Sequence, residues 1–108
     1  MPKQEACDMT TIHDIQTFVA TSMGTTVLEL LSSRRAQASA WPRHVAMWLC
    51  RHTTLHSLPE IGRAFGDRDH TTVMHAIWRV DQRMAADPSL AFYVRSLRET
   101  LTSREAAA

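Results

Sequence analysis

The chain has 108 residues, of which 44% are hydrophobic and 21% charged, with a formal net charge of +1. That length bounds it to one domain with a modest core. No apolar run is long enough for a membrane span, and the opening MPKQEACDMTT lacks the apolar stretch of a signal peptide. Cys7 and Cys50 lie far apart without metal-type spacing, so reduced thiols in a cytoplasmic protein are expected.

Taken in chain order, the sequence reads as helices with short links. Thr11 is placed to cap a first helix whose apolar side carries Ile12, Ile15, Phe18 and Val19 and which Gly24 ends. A short second helix over residues 27–31 supplies Val27, Leu28, Leu30 and Leu31 to the core. Residues 32–40 read as a polar loop holding Arg34 and Arg35. Pro42 marks the first turn of a third helix running to about His52, with Val45, Trp48 and Leu49 inward. Helical spacing makes packing the default reading for Trp41, Trp48 and Trp78, and the six methionines read as core filler.

The stretch Ser57–Val80 has the most specific grammar. Ser57 and Glu60 have capping-box spacing, and Pro59 falls in the first turn, where a missing N–H is harmless. Leu58, Ile61 and Phe65 recur at helical spacing, and Gly66 suits a helix end. Asp69 is a good N-cap for the next helix, whose apolar stripe is Val73, Ile77, Val80 and Met84. Its other face presents Thr71, Thr72, His75, Arg79 and Arg83. A short helix, a glycine turn and a longer amphipathic helix make a helix-turn-helix. Asp87-Pro88 then starts a last helix with Leu90, Val94, Leu97 and Leu101 inward. The expected fold is all-α, about six helices over residues 11–103, with tails at 1–10 and 104–108.

The small net charge hides an asymmetry. Residues 1–33 set Lys3 against Glu5, Asp8, Asp14 and Glu29, whereas residues 34–83 set eight arginines against Glu60, Asp67, Asp69 and Asp81. Five of the six histidines share that basic segment. Positive charge gathered around a helix-turn-helix points to a polyanion partner.

The run SLPEIGRAFGDRDHTTVMHA resembles the signature of the C-terminal DNA-binding domain of the bacterial replication initiator DnaA. RRAQASAWPRHVAMWL resembles its basic loop and following helix, and IHDIQTFVATSMGTTVLELLSSRR its first two helices, so the likeness covers about residues 11–101. It implies a Trp-repressor-like helix-turn-helix fold that binds double-stranded DNA at A·T-rich boxes of the TTATCCACA type. Matched residue by residue, the resemblance implies base reading by Asp69, His70, Thr71 and Thr72 in the major groove. Pro59 would pack near a thymine methyl, and Arg35 would enter the adjacent minor groove. Arg34, Arg43, His44, Arg51, Arg68, His75 and Arg79 would hold the phosphate backbone, which sets register but reads no sequence. Threonine chemistry suits base reading, since the side chain offers a methyl to thymine and a hydroxyl to a base edge.

Three positions depart from the family pattern. His44 stands where glutamine is usual, which would make a phosphate contact pH-dependent; Asp67 replaces a turn glycine; Trp41 replaces an arginine. The initiator's ATPase loop is also missing, since Gly24, Gly62 and Gly66 are isolated and no GxxxxGK[ST] occurs. With its own Met1, the chain reads as a stand-alone, nucleoid-associated regulator without cofactor, metal or catalysis, a monomer or weak dimer that competes with or contacts the initiator. The other reading is a protein-interaction module that keeps the fold and binds the initiator without sequence-specific DNA binding.

Overall fold

Six helices and no strand make up the described residues, 11–33 and 37–107, of the computed structural model. Helix α1, Ile12–Met23, opens on a capping box: Thr11 Oγ1 accepts from the Asp14 amide at 3.0 Å, and Asp14 Oδ2 accepts from the Thr11 amide at 3.1 Å. Gly24, at φ 71°, ends it. Helix α2, Val27–Leu31, is capped by Thr26. Leu30 is buried, but Leu28 is 81% exposed and does not join the core as expected. Two residues two apart on a helix point to nearly opposite sides, so a helix this short cannot turn both inward.

Helix α3, Gln37–Thr53, begins five residues before Pro42 and so overruns much of the expected 32–40 loop. Pro42, the sixth residue of this helix, lies past the first turn, so it costs the ladder one hydrogen bond and crowds the carbonyl four residues earlier. Ser39 Oγ, donating to Glu29 Oε2 at 2.9 Å, ties the first turn to α2. The remaining helices are α4, Leu58–Ala64, α5, His70–Ala86, and α6, Pro88–Ala107. The last is helical to Ala107, so the tail expected at 104–108 is largely the end of α6, while the tail expected at 1–10 lies outside the described residues. No helix among the described residues is long and apolar enough to cross a membrane.

Helix α3 packs against each of the other five. Val45 to Cys50 are therefore buried without a break, as a helix surrounded on all sides must be. Around them stand Ile15 and Val19 of α1, Leu30, Ile61, Phe65, Val73 and Val80, and Val94 and Leu97 of α6. Burial drives the Cys50 thiol pKa strongly upward, so it acts as a small hydrophobe. Gln16, unexpectedly buried on α1, donates from Nε2 to the Ala64 carbonyl at 2.9 Å and so satisfies the end of α4.

The turn between α4 and α5 sets their geometry. Ser57 and Glu60 form the expected capping box at the start of α4. Phe65 ends it with its ring fully buried. Gly66 (φ 79°) and Asp67 (φ 59°) then turn the chain in consecutive left-handed conformations, and the Arg68 amide returns to the Gly62 carbonyl at 2.7 Å. A Cβ on residue 62 would collide with the Arg68 carbonyl oxygen, a close approach invisible in the linear sequence.

Gly62→Ala should therefore lose about 3 kcal/mol of stability, and Asp67→Gly should gain about 0.5 kcal/mol by relieving a left-handed β-carbon. Urea unfolding followed by circular dichroism checks both; a Gly62→Ala variant as stable as the parent would contradict the packed turn.

Candidate nucleic-acid interface

Helix α5 presents its first turn to solvent. Asp69 caps it, with Oδ2 accepting from the Thr71 amide at 2.9 Å. Those hydrogen bonds from Thr71 hold the carboxyl pKa below its ordinary value, and His70 Nδ1 lies 3.7 Å from Asp69 Oδ1. The helix buries Val73, Ala76 and Val80, with Ile77 and Met84 half-buried along the same stripe. His70, Thr71, Thr72, His75 and Arg79 consequently stand exposed on the other side. The capped start orders the backbone from which Thr71 and Thr72 project into solvent.

Packing of α3 on α5 brings further expected residues together. His44 is half-buried at this junction, with Arg43, Arg79, Arg68 and Arg83 as its charged neighbours. Trp41, His44, Trp78, Arg79, Gln82 and Arg83 line a cleft of about 260 Å³. The Arg83 guanidinium lies over the Trp41 ring, 4.1 Å from its centre. The Trp41 ring thus seats a cation carried by α5. Burial first, then the surrounding arginines, push the His44 pKa down to about 4. In the free protein His44 is therefore neutral near pH 7, and its protonation belongs to the acid range.

Two of the expected phosphate ligands hold backbone carbonyls in this structure. Arg43 is only 5% exposed; its Nε donates to the Leu30 carbonyl at 2.8 Å and Nη2 to the Ser32 carbonyl at 3.0 Å. Arg68, half-buried, donates from Nη2 to the same Ser32 carbonyl at 2.6 Å and from Nη1 to the Phe65 carbonyl. Neither is the free surface cation that the charge pattern suggested. Arg51 is exposed two turns beyond His44 on α3, and Pro59 is exposed in the first turn of α4. Arg34 and Arg35 lie outside the described residues.

The tryptophans do not share one role. Trp48 is buried, donates from Nε1 to Asp81 Oδ1 at 2.8 Å and stacks against His52. Trp78 is 59% exposed on α5 beside Arg79, contrary to the packing expectation, and Met74 is exposed one turn before it. The signal was present: neither residue falls on the stripe Val73, Ile77, Val80 and Met84.

A family model described as the bacterial dnaA protein helix-turn-helix matches residues 12–80. The chain is 50% identical over 91 residues to the chromosomal replication initiator protein DnaA of Gluconobacter oxydans, covering 84% of this chain and 19% of that protein. It is 51% identical over 81 residues to the protein of the same name from a Caulobacter species, covering 75% and 17%. The chain thus spans about a fifth of the length of these relatives. A crystal structure titled as a DNA replication initiation factor superposes with a TM-score of 0.81 at 33% identity, over 94% of this chain and 31% of that one.

The depressed His44 pKa has a consequence for stability. Between about pH 6.5, the ordinary histidine value, and about pH 4, the unfolded chain binds a proton at His44 that the folded chain does not. Stability should therefore be full above that range and fall as pH drops through it. His44→Gln should flatten this decline without abolishing it, because burial also lowers the His52 pKa. Denaturation midpoints between pH 4 and 7 test this; identical profiles for the two proteins would remove His44 as a cause.

Proposed function

The chain belongs to the bacterial DnaA helix-turn-helix family, and on that premise we propose that it binds double-stranded DNA sequence-specifically at A·T-rich boxes of the initiator type. The observation that carries this reading is the exposed, Asp69-capped first turn of α5, followed on its exposed side by His75 and Arg79. His70, Thr71 and Thr72 read base edges in the major groove, and Asp69 caps the helix while offering a carboxylate to a cytosine amine. Pro59 meets a thymine methyl. Arg79, His75, Arg51 and Arg34 hold phosphates, with His44 donating from a ring nitrogen. Arg35 enters the neighbouring minor groove, where a narrow A·T-rich groove attracts guanidinium.

The 108 residues contain this reading surface and no nucleotide-binding loop. Box occupancy through this surface draws on no nucleotide and needs no more than a monomer or weak dimer. Two proteins cannot share one major-groove face, so it displaces the initiator by mass action and regulates transcription or replication initiation at box-containing sites in the bacterial nucleoid.

Binding to a single-box duplex should weaken with salt at a log–log slope of roughly −4 to −5, corresponding to about four to six phosphate contacts. A slope near zero would reject the arginine-rich interface. His70→Ala, Thr71→Ala and Thr72→Ala should each lose about 1–3 kcal/mol on the preferred box and less on random duplex. Arg79→Ala should weaken both alike. Anisotropy titrations with labelled duplexes separate these cases; full discrimination retained in all three helix-start variants would place the reading surface elsewhere.

A further inference from the structure

We infer that the cleft between α3 and α5 seats one backbone phosphate of the duplex, and that Arg83, stationed on the Trp41 ring, is the cation that closes on it. The inference rests on the reading of α5 as DNA-contacting and adds a residue to that surface.

The cleft gathers positive charge without a counter-charge. Its half-buried His44 lies in the field of four guanidinium groups, Arg43, Arg68, Arg79 and Arg83. Among the described residues, no carboxylate lines the cleft or pairs with Arg79 or Arg83. Like charges held together repel, and an anion brought between them relieves that repulsion. Arg43 and Arg68 direct donors to backbone carbonyls. Arg79 and Arg83 are exposed, and no hydrogen bond among the described residues uses their side chains or the His44 ring. Trp41 prepares Arg83 for a ligand. The guanidinium rests 4.1 Å from the ring centre, which holds it by its face and leaves the N–H groups at its edge free. A side chain stationed in this way loses less rotamer freedom when its ligand arrives. The opposite wall is Trp78, 59% exposed, so apolar rings flank the cationic floor. Such walls suit the deoxyribose on either side of a phosphate. The cleft's volume of about 260 Å³ falls below the range of about 300–1,000 Å³ usual for small-molecule pockets. Thr72, Arg79 and Arg83, spaced by seven and four residues, share one side of α5. The cleft therefore continues the line of contacts that begins at the exposed helix start, and that continuity favours the duplex over a protein carboxylate as its occupant.

Neutral methylphosphonate, placed at one backbone position at a time along a duplex with a single TTATCCACA-type box, locates the seat. The full chain and its Arg83→Gln and Trp41→Leu variants are titrated by anisotropy, at a temperature where thermal melts show all three folded. At one backbone position the penalty for losing the charge should fall from about fivefold in the parent to below about twofold in Arg83→Gln, with the other positions unchanged. Trp41→Leu, which keeps every charge, should reduce that same penalty and no other. Arg83→Gln should also lower the salt slope by about 1 and weaken box and random duplex alike. Parent-like penalties in either variant would overturn the inference, leaving the Arg83–Trp41 contact a staple between the two helices or the cleft a seat for a protein carboxylate. A loss spread evenly over all positions would make Arg83 a diffuse charge and overturn it too. A parent chain without salt-dependent duplex binding would instead remove the DNA-binding proposal itself, and this inference with it.

Discussion

At the turn of the helix-turn-helix, the Arg68 carbonyl occupies the space where a side chain on residue 62 would begin. Only glycine permits that approach, and the Arg68 amide seals it by donating to the Gly62 carbonyl. From this contact follow the paths of α4 and α5: Phe65 drops into the core, Gly66 and Asp67 reverse the chain, and Asp69 arrives in position to cap α5. The exposed first turn of α5 is the far end of that sequence. Asp67 adopts its left-handed conformation with a β-carbon and a carboxylate where the family pattern has glycine, so the turn is retained against a local preference. Tertiary contact at Gly62 and Phe65 outweighs it.

The arginines divide into those that build and those that face outward. Arg43 and Arg68 take up backbone carbonyls at the end of α2, where orphan helix-end acceptors would otherwise need partners. Arg79 stands exposed, and Arg83 lies over Trp41. All four surround His44, and their summed field, together with burial, keeps that imidazole neutral. The basic surface is therefore not a uniform sheet of mobile cations. Its inner members are part of the framework and its outer members remain available to a polyanion.

Much of this architecture was legible because its causes are local. The Thr11 cap, the Ser57–Glu60 box, the Asp69 cap and the Gly24 and Gly66 turns each depend on spacings of a few residues. The polar face of α5 followed from its apolar stripe in the same way; the same stripe leaves out Trp78 and Met74, which residue type alone had assigned to packing. What escaped depends on distant partners. The early start of α3 rests on Ser39 meeting Glu29, while Pro42 suggested a helix start of its own. The necessity of Gly62 comes from Arg68, and the burial of Gln16 from the Ala64 carbonyl at the end of α4. The carbonyl partners of Arg43 and Arg68 escaped for a plainer reason: a guanidinium bound for a carbonyl and one bound for a phosphate look alike in a sequence.

The central place of α3 bears on how rigid the proposed reading surface is. Each of the other five helices leans on it, so α3 cannot open locally without disturbing the whole molecule, and its amides belong with the slowest-exchanging class. His44 is carried on α3, and α5, which carries Thr71, Thr72 and Arg79, is packed along it. The backbone that presents these side chains has accordingly given up its conformational freedom on folding. A partner meeting this face has only side-chain rotamers left to immobilise, which leaves more of the interaction energy to appear as affinity.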